Sequence, residues 1–312
     1  MSTHSIDCTY KNFATSNPKE GNTDADVTPD KRFLVSYKDL DEWRQDNEFI
    51  LHSYRPLMTN YQSCVRSVVL LHSESGNIWS HLIAFLIFAG CLVEFLTRDA
   101  AEFVDATRER FVITVFMISV LATFGFSTTL HTFMCHSEPV LRRCCSLDYT
   151  GITFGFIGAF IPLVFYNFYC EPRVQKVYYA VMFCFGVLCL VAVHSKRFET
   201  PKYRGIRALV FVALGLSSLV MPVHLIATLG FHESLAAAQL DYQYVAGGIC
   251  LFGAFVFAYR IPERYFPGKC DFWFQSHQIF HCCALATAVV HLAGLFRLQK
   301  IRFALGENCD AS

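Results

Sequence analysis

The chain has 312 residues, of which 54% are apolar and only 17% charged, and its acidic and basic residues cancel. The apolar residues collect in runs of about 18 to 25, long enough to cross a hydrocarbon core, which excludes an ordinary soluble domain. A zero net charge gives no reason to expect nucleic acid as a partner.

The first 76 residues are polar and mixed in charge, without the apolar core and small-residue cleavage site of a secretory signal, so they predict an N-terminus that stays in the cytosol. Residues 1–30 carry Pro, Asn, Thr, Ser and Asp with few large apolar groups and predict a disordered tail. Within residues 31–76, Ser36 to Arg44 and Cys64 to Leu71 alternate apolar and polar side chains at helical spacing, which predicts short juxtamembrane helices. Seven apolar runs then fill residues 77–297: Ile78 to Leu96, Phe111 to Met134, Tyr149 to Tyr169, Val177 to His194, Ile206 to Gly230, Tyr242 to Arg260 and Phe272 to Phe296. Pro162 and Pro222 predict kinks in the third and fifth, and Gly151 with Gly155 predicts close packing of the third against a neighbour rather than a dimer motif. Residues 298–312 are left as a C-terminal tail.

Lysine and arginine near the membrane set orientation. Arg66, Arg142, Arg143, Lys196, Arg197, Lys202, Arg204, Arg260, Arg264 and Lys269 share the N-terminal side, against Arg98, Arg108, Arg110, Arg173, Lys176, Arg297, Lys300 and Arg302. The small excess predicts a cytosolic N-terminus, and an odd number of spans then places the C-terminus outside the cell, the reverse of a G-protein-coupled receptor. That class is further disfavoured because the third span ends without an acidic-Arg-aromatic triplet and the seventh lacks Asn-Pro-x-x-Tyr. Only Cys170 and Cys309, among fourteen cysteines, fall on the external side, where a pairing is open to them.

The same parity brings chemistry together. His131 lies near the end of the second span, Asp148 at the start of the third, and His277 and His281 at the start of the seventh, so all four border one membrane face. The i, i+4 spacing of His277 and His281 stacks both imidazoles on one side of a helix, as helical zinc ligand pairs are presented. Ionisable groups at membrane depth are costly and face the bundle interior, where an ion or partner compensates them. Three imidazoles leave one tetrahedral zinc position open, the arrangement of catalytic rather than structural sites, and hydrolysis is the natural reaction class. Asp148 can serve as proton acceptor or can orient a ligand imidazole; Ser127 shares the helix face of His131, where it can bind water, substrate or Asp148.

A lone histidine near a helix end is more often a hydrogen-bonded interfacial residue than a ligand, and the chain has twelve. His4, His52, His72, His136 and His232 read as loop or tail residues, and His224 and His291 fall toward the opposite face. His81 and His194 share the candidate site's side. Cys282 and Cys283 turn away from it.

The stretches H72-S-E-S-G-N-I-W-S-H81, S127-T-T-L-H-T-F-M-C-H-S137, L147-D-Y-T-G151, F198-E-T-P-K202, R260-I-P-E-R-Y-F-P-G-K269 and F274-Q-S-H-Q-I-F-H281 are similar to motifs of the adiponectin receptors. From about Asp41 to Gly306 the chain resembles that branch of the progestin and adipoQ receptor family. The resemblance implies an all-α membrane protein, a seven-transmembrane helix bundle with a cytosolic N-terminus, an extracellular C-terminus and an intramembrane zinc. Zinc would be held by His131, His277 and His281, with Asp148 beside it, and Ser127 enters through a Ser-x-x-x-His pattern shared with membrane hydrolases. It further implies a plasma-membrane receptor for an adiponectin-like hormone acting on lipid and glucose metabolism, with a hydrolase activity that cleaves ceramide to fatty acid and sphingosine. The alternative reading is a non-catalytic receptor in which zinc is structural and signalling runs through cytosolic adaptor proteins. Beyond membrane lipids, association of two chains into a homodimer stays open.

Overall fold

A computed structural model describes residues 34–195, 210, 213–306 and 309. The predicted disordered tail, the motif from Phe198 to Lys202 and the start of the predicted fifth span lie outside the described residues. Within them the chain is helical: α1 (Tyr61–Ser67), α2 (Ser75–Leu96), α3 (Ala106–Phe133), α4 (Glu138–Asn167), α5 (Pro172–His194), α6 (Val220–Leu229), α7 (Phe231–Ala237), α8 (Leu240–Tyr259) and α9 (Ser276–Leu305). The described residues hold no strand, only one antiparallel bridge between Val35 and Tyr54.

Six of these helices, α2 to α5, α8 and α9, are long and apolar enough to cross a membrane. A seventh crossing requires the bent pair Ala213–Leu229 and Phe231–Ala237, which turn through 116°. Regular helix from Ala213 gives way to a turn at Ser218 and Leu219, and Pro222, which lacks an N–H, cannot bond the Ser218 carbonyl there. The sharp bend falls at Gly230, whose φ of +87° and ψ of 160° suit glycine alone. Pro162 lies inside a helix that continues to Asn167.

Helix ends follow local chemistry more than hydropathy. The Asn60 side chain accepts from the Gln62 N–H at the start of α1, and Asp105 accepts from Arg108 at the start of α3. Proline opens both α4 and α5, where its fixed φ suits a first turn. As a result α4 begins at Glu138 instead of near Tyr149, so Asp148 lies well inside a helix rather than at its start. Hydropathy measures the hydrocarbon slab, whereas the helix extends beyond it with Arg142 and Arg143 exposed. Likewise α9 runs through Leu305, into residues expected as tail, and buries Leu298, Gln299 and Arg302. The expected juxtamembrane helices reduce to 3-10 turns at Tyr37–Asp39 and Glu42–Arg44, followed by α1.

Close packing of α3 on α4 is glycine-dependent: a Cβ at Gly151 would meet the Thr123 Cα at 2.9 Å, and Thr123 Oγ1 donates to the Gly151 carbonyl at 2.8 Å. α9 contacts α2, α3, α4 and α8, which brings the N-terminal part of α9 against the ends of α2 and α3. Phe88, Phe116, Phe124, Met117 and Leu295 fill the interior, while Leu86, Val93, Phe183 and Leu251 stay exposed on outer faces, as lipid-facing side chains do. Opposite the histidines, Cys170 and Cys309 form a disulfide.

Candidate metal centre

Three helices converge at the N-terminal end of α9. Glu263, fully buried in the loop before α9, accepts from the Ser276 backbone N–H at 2.8 Å and from the Ser276 hydroxyl, and so caps the helix beside His277. The i, i+4 geometry then places His281 one turn deeper, with its Nε2 3.0 Å from His277 Nε2. His131, in the last turn of α3, brings its Nε2 to 3.1 Å from His277 Nε2. One ligand atom from each ring lies within 4.8 Å of the others, and His131 and His281 are both 2% exposed. The three expected histidines thus form one cluster.

Whether a metal fits can be judged from the hydrogen bonds on the far side of each ring. His131 Nδ1 lies 2.8 Å from Glu74 Oε2, an acceptor. Burial works against the Glu74 charge, while hydrogen bonds from His131 and Asn77 and the nearby Arg55 guanidinium work for it. His281 Nδ1 faces the Asn77 carbonyl at 3.2 Å and the Ser80 hydroxyl at 3.0 Å, and that hydroxyl itself donates to Asn77 O. Both rings therefore carry their proton on Nδ1 and turn an Nε2 lone pair inward; the tautomers are assigned from these partners. His277 Nδ1 is buried without a hydrogen-bond partner among the described residues. One bridging proton on His277 Nε2 is the most that neutral imidazoles can share among three inward nitrogens, whereas a cation satisfies all three. Around a tetrahedral zinc with Zn–N of about 2.05 Å, ligand nitrogens stand about 3.3 Å apart, near the two spacings here. The donor set fits a divalent metal such as zinc, with a histidine ring oriented by a carboxylate and another by a carbonyl.

Ser127, 3% exposed and one turn before His131, hydrogen-bonds the Asp148 carboxylate across the α3–α4 contact. Asp148 is half-buried and stands outside the cluster of three nitrogens. A cavity of about 90 Å³ leads to the cluster between Trp43, Arg44, Tyr54, Glu74, Arg260 and His277. That volume admits a few waters and is well short of what a lipid-sized ligand fills. A larger cavity of about 420 Å³, with walls from Phe160, Val177, Tyr178, Met182 and His224, lies between α4, α5 and α6, away from the cluster.

His81 stacks on His281, ring centroids 3.5 Å apart and planes 6° apart, and is not one of the three clustered rings. His194 bonds Thr150, His224 bonds Tyr178, and His291 bonds the Ala159 carbonyl. His72, expected as a plain loop residue, is 1% exposed and holds the turn before α2 through Ser67 O and the Glu74 N–H; burial pushes its imidazole down to about 3, so it stays neutral. Glu74, Asn77, Ser80 and Arg55 are site residues that sequence reasoning does not assign by role. A signal exists for the first three, which lie in the motif from His72 to His81, and none for Arg55.

Residues 69–292 match the haemolysin-III-related family. The chain is 38% identical over 276 residues to the progestin and adipoQ receptor-like protein 1 of Caenorhabditis elegans, covering 88% of this chain and 63% of that protein. It is 36% identical over 274 residues to the adiponectin receptor protein of Drosophila melanogaster, covering 88% and 61%. With the heptahelical transmembrane protein 1 of Arabidopsis thaliana the identity is 33% over 273 residues, covering 85% and 81%. The chain thus spans about three fifths of the length of the first two relatives.

Proposed function

The chain belongs to the haemolysin-III-related family of membrane proteins, and from that premise we propose that it is an adiponectin-receptor-like protein whose three-histidine centre holds zinc and hydrolyses a lipid amide such as that of ceramide. The observation that carries the reading is the apposition of three inward Nε2 atoms from His131, His277 and His281, two of them in fixed tautomers. A zinc ion bound there would lower the pKa of a water to about 7 and polarise a carbonyl.

The chain's own groups supply the rest. Asp148 accepts a proton from the attacking water and passes it to the departing nitrogen as the C–N bond breaks, leaving a fatty acid and sphingosine. Ser127 holds the Asp148 carboxylate in place through its hydroxyl. The small cavity beside the cluster admits water, and the lipid's chains lie outside it because they do not fit that volume. The orientation with the N-terminus in the cytosol and the C-terminus outside is supported by the excess of Lys and Arg on the histidine side. Residence in the plasma membrane, an adiponectin-like hormone outside, and control of lipid and glucose metabolism complete the reading, the hormone by analogy with the printed name of the fly relative.

A second reading is favoured by one observation. Arg55, in the segment before α1, donates to the His131 and Thr132 carbonyls, so the N-terminal segment is tied directly to a ligand. In that reading zinc staples α3 to α9, and a hormone signal passes to cytosolic adaptors without turnover. Asp148→Asn separates the two. With zinc content unchanged, ceramide cleavage by purified protein should fall about 10²- to 10⁴-fold if Asp148 moves the proton. Wild-type protein that holds zinc yet cleaves no more amide than the variant would defeat the hydrolase reading.

A further inference from the structure

The three residues that orient the cluster from outside come from α2, which supplies no ligand. Glu74, Asn77 and Ser80 follow one another three residues apart at the start of that helix and share one face. The approach of α2 to α9 is close there: a Cβ on Gly76 would lie 2.4 Å from the Gln278 side chain. We propose that Glu74 is a positioning residue of the metal centre, setting the tautomer of His131 and placing a negative charge one imidazole ring away from the ion. The inference rests on the zinc reading above.

Two features single out Glu74. Its Oε2 is shared, accepting from His131 Nδ1 at 2.8 Å and from Asn77 Nδ2 at 2.7 Å, while the Asn77 carbonyl accepts from His281. One carboxylate is therefore linked to two ligand rings on two helices through a single neighbour. Its charge also matters. Three neutral imidazoles leave both charges of a divalent ion uncompensated at membrane depth, and this carboxylate is in contact with a ligand ring that carries its proton toward it. Arg55 keeps the other end of the arrangement fixed by holding the His131 carbonyl. Glu74 also occupies the N-cap position of α2, where the helix dipole favours a negative group.

The test compares wild type, Glu74→Gln and Glu74→Ala as full-length protein in detergent, loaded with zinc and then equilibrated against graded chelator. Glu74→Ala should release zinc to a chelator about 10- to 100-fold weaker than wild type requires. Glu74→Gln keeps an accepting oxygen without the charge and should fall between them. Cobalt(II)-loaded wild type and Glu74→Gln should also differ in their visible bands, a difference that a residue merely holding α2 in place would not produce. If both variants keep zinc as tightly as wild type with identical cobalt spectra, Glu74 has no positioning role. A wild type that binds neither metal overturns the zinc reading itself, and this inference with it.

Discussion

Glu109 at one end of the bundle and the histidine cluster at the other are buried about equally deeply and are treated oppositely. At the disulfide end, Glu109 is 0% exposed, yet its carboxylate accepts from the Val104 and Asp105 backbone N–H groups at 2.9 and 3.0 Å and from the Tyr166 hydroxyl at 2.9 Å. Every partner is supplied by the protein. At the histidine end the outward nitrogens of His131 and His281 are satisfied, while the inward nitrogens face only one another. Burial alone therefore does not mark a functional group. What marks the cluster is a set of acceptors that the fold arranges and does not itself satisfy, which is the condition for an external cation.

That contrast can be broken from either side. The largest effect on stability is expected at Glu109: Glu109→Leu strands two backbone donors and a hydroxyl, and should cost roughly 3 to 5 kcal/mol in unfolding experiments while metal content per folded chain stays at the wild-type value. Cys170→Ser opens a cross-link between residues 139 apart in sequence and should cost about 2 to 4 kcal/mol, again without metal loss. Tyr166→Phe removes one bond to a buried carboxylate, for about 1.5 to 3 kcal/mol. The smallest effect belongs to the histidine end. Ser80→Ala takes one of two partners from His281 Nδ1 and leaves the Asn77 carbonyl, so unfolding should shift by less than about 1 kcal/mol, with only a slight weakening of metal retention. Metal loss in Glu109→Leu, or a large stability loss in Ser80→Ala, would dissolve the distinction between the two ends.

Much of this arrangement was legible in the chain. Long apolar runs locate the crossing helices, and loop parity puts His131, His277, His281 and Asp148 at one height. Parity carries no information on rotation about a helix axis, so the motif from His72 to His81 places Glu74, Asn77 and Ser80 near the site without showing which of them meets the rings. One of the two His281 partners could not be read from side-chain identity at all, because the Asn77 backbone carbonyl supplies it. Hydropathy has its own limit: α4 starts well before its apolar run, since Pro139 in its first turn favours helix there. Span five, by contrast, stops where its run stops, at Gly230, whose positive φ turns the chain through 116° into α7.

Metal analysis of the purified full-length protein beside the His277→Ala, His281→Ala double variant tests the central claim most directly. About one zinc per chain in the wild type, lost in the variant while the helical content is kept, is the expected result. Zinc retained in full by the variant, or none in a folded wild type supplied with zinc, would contradict it.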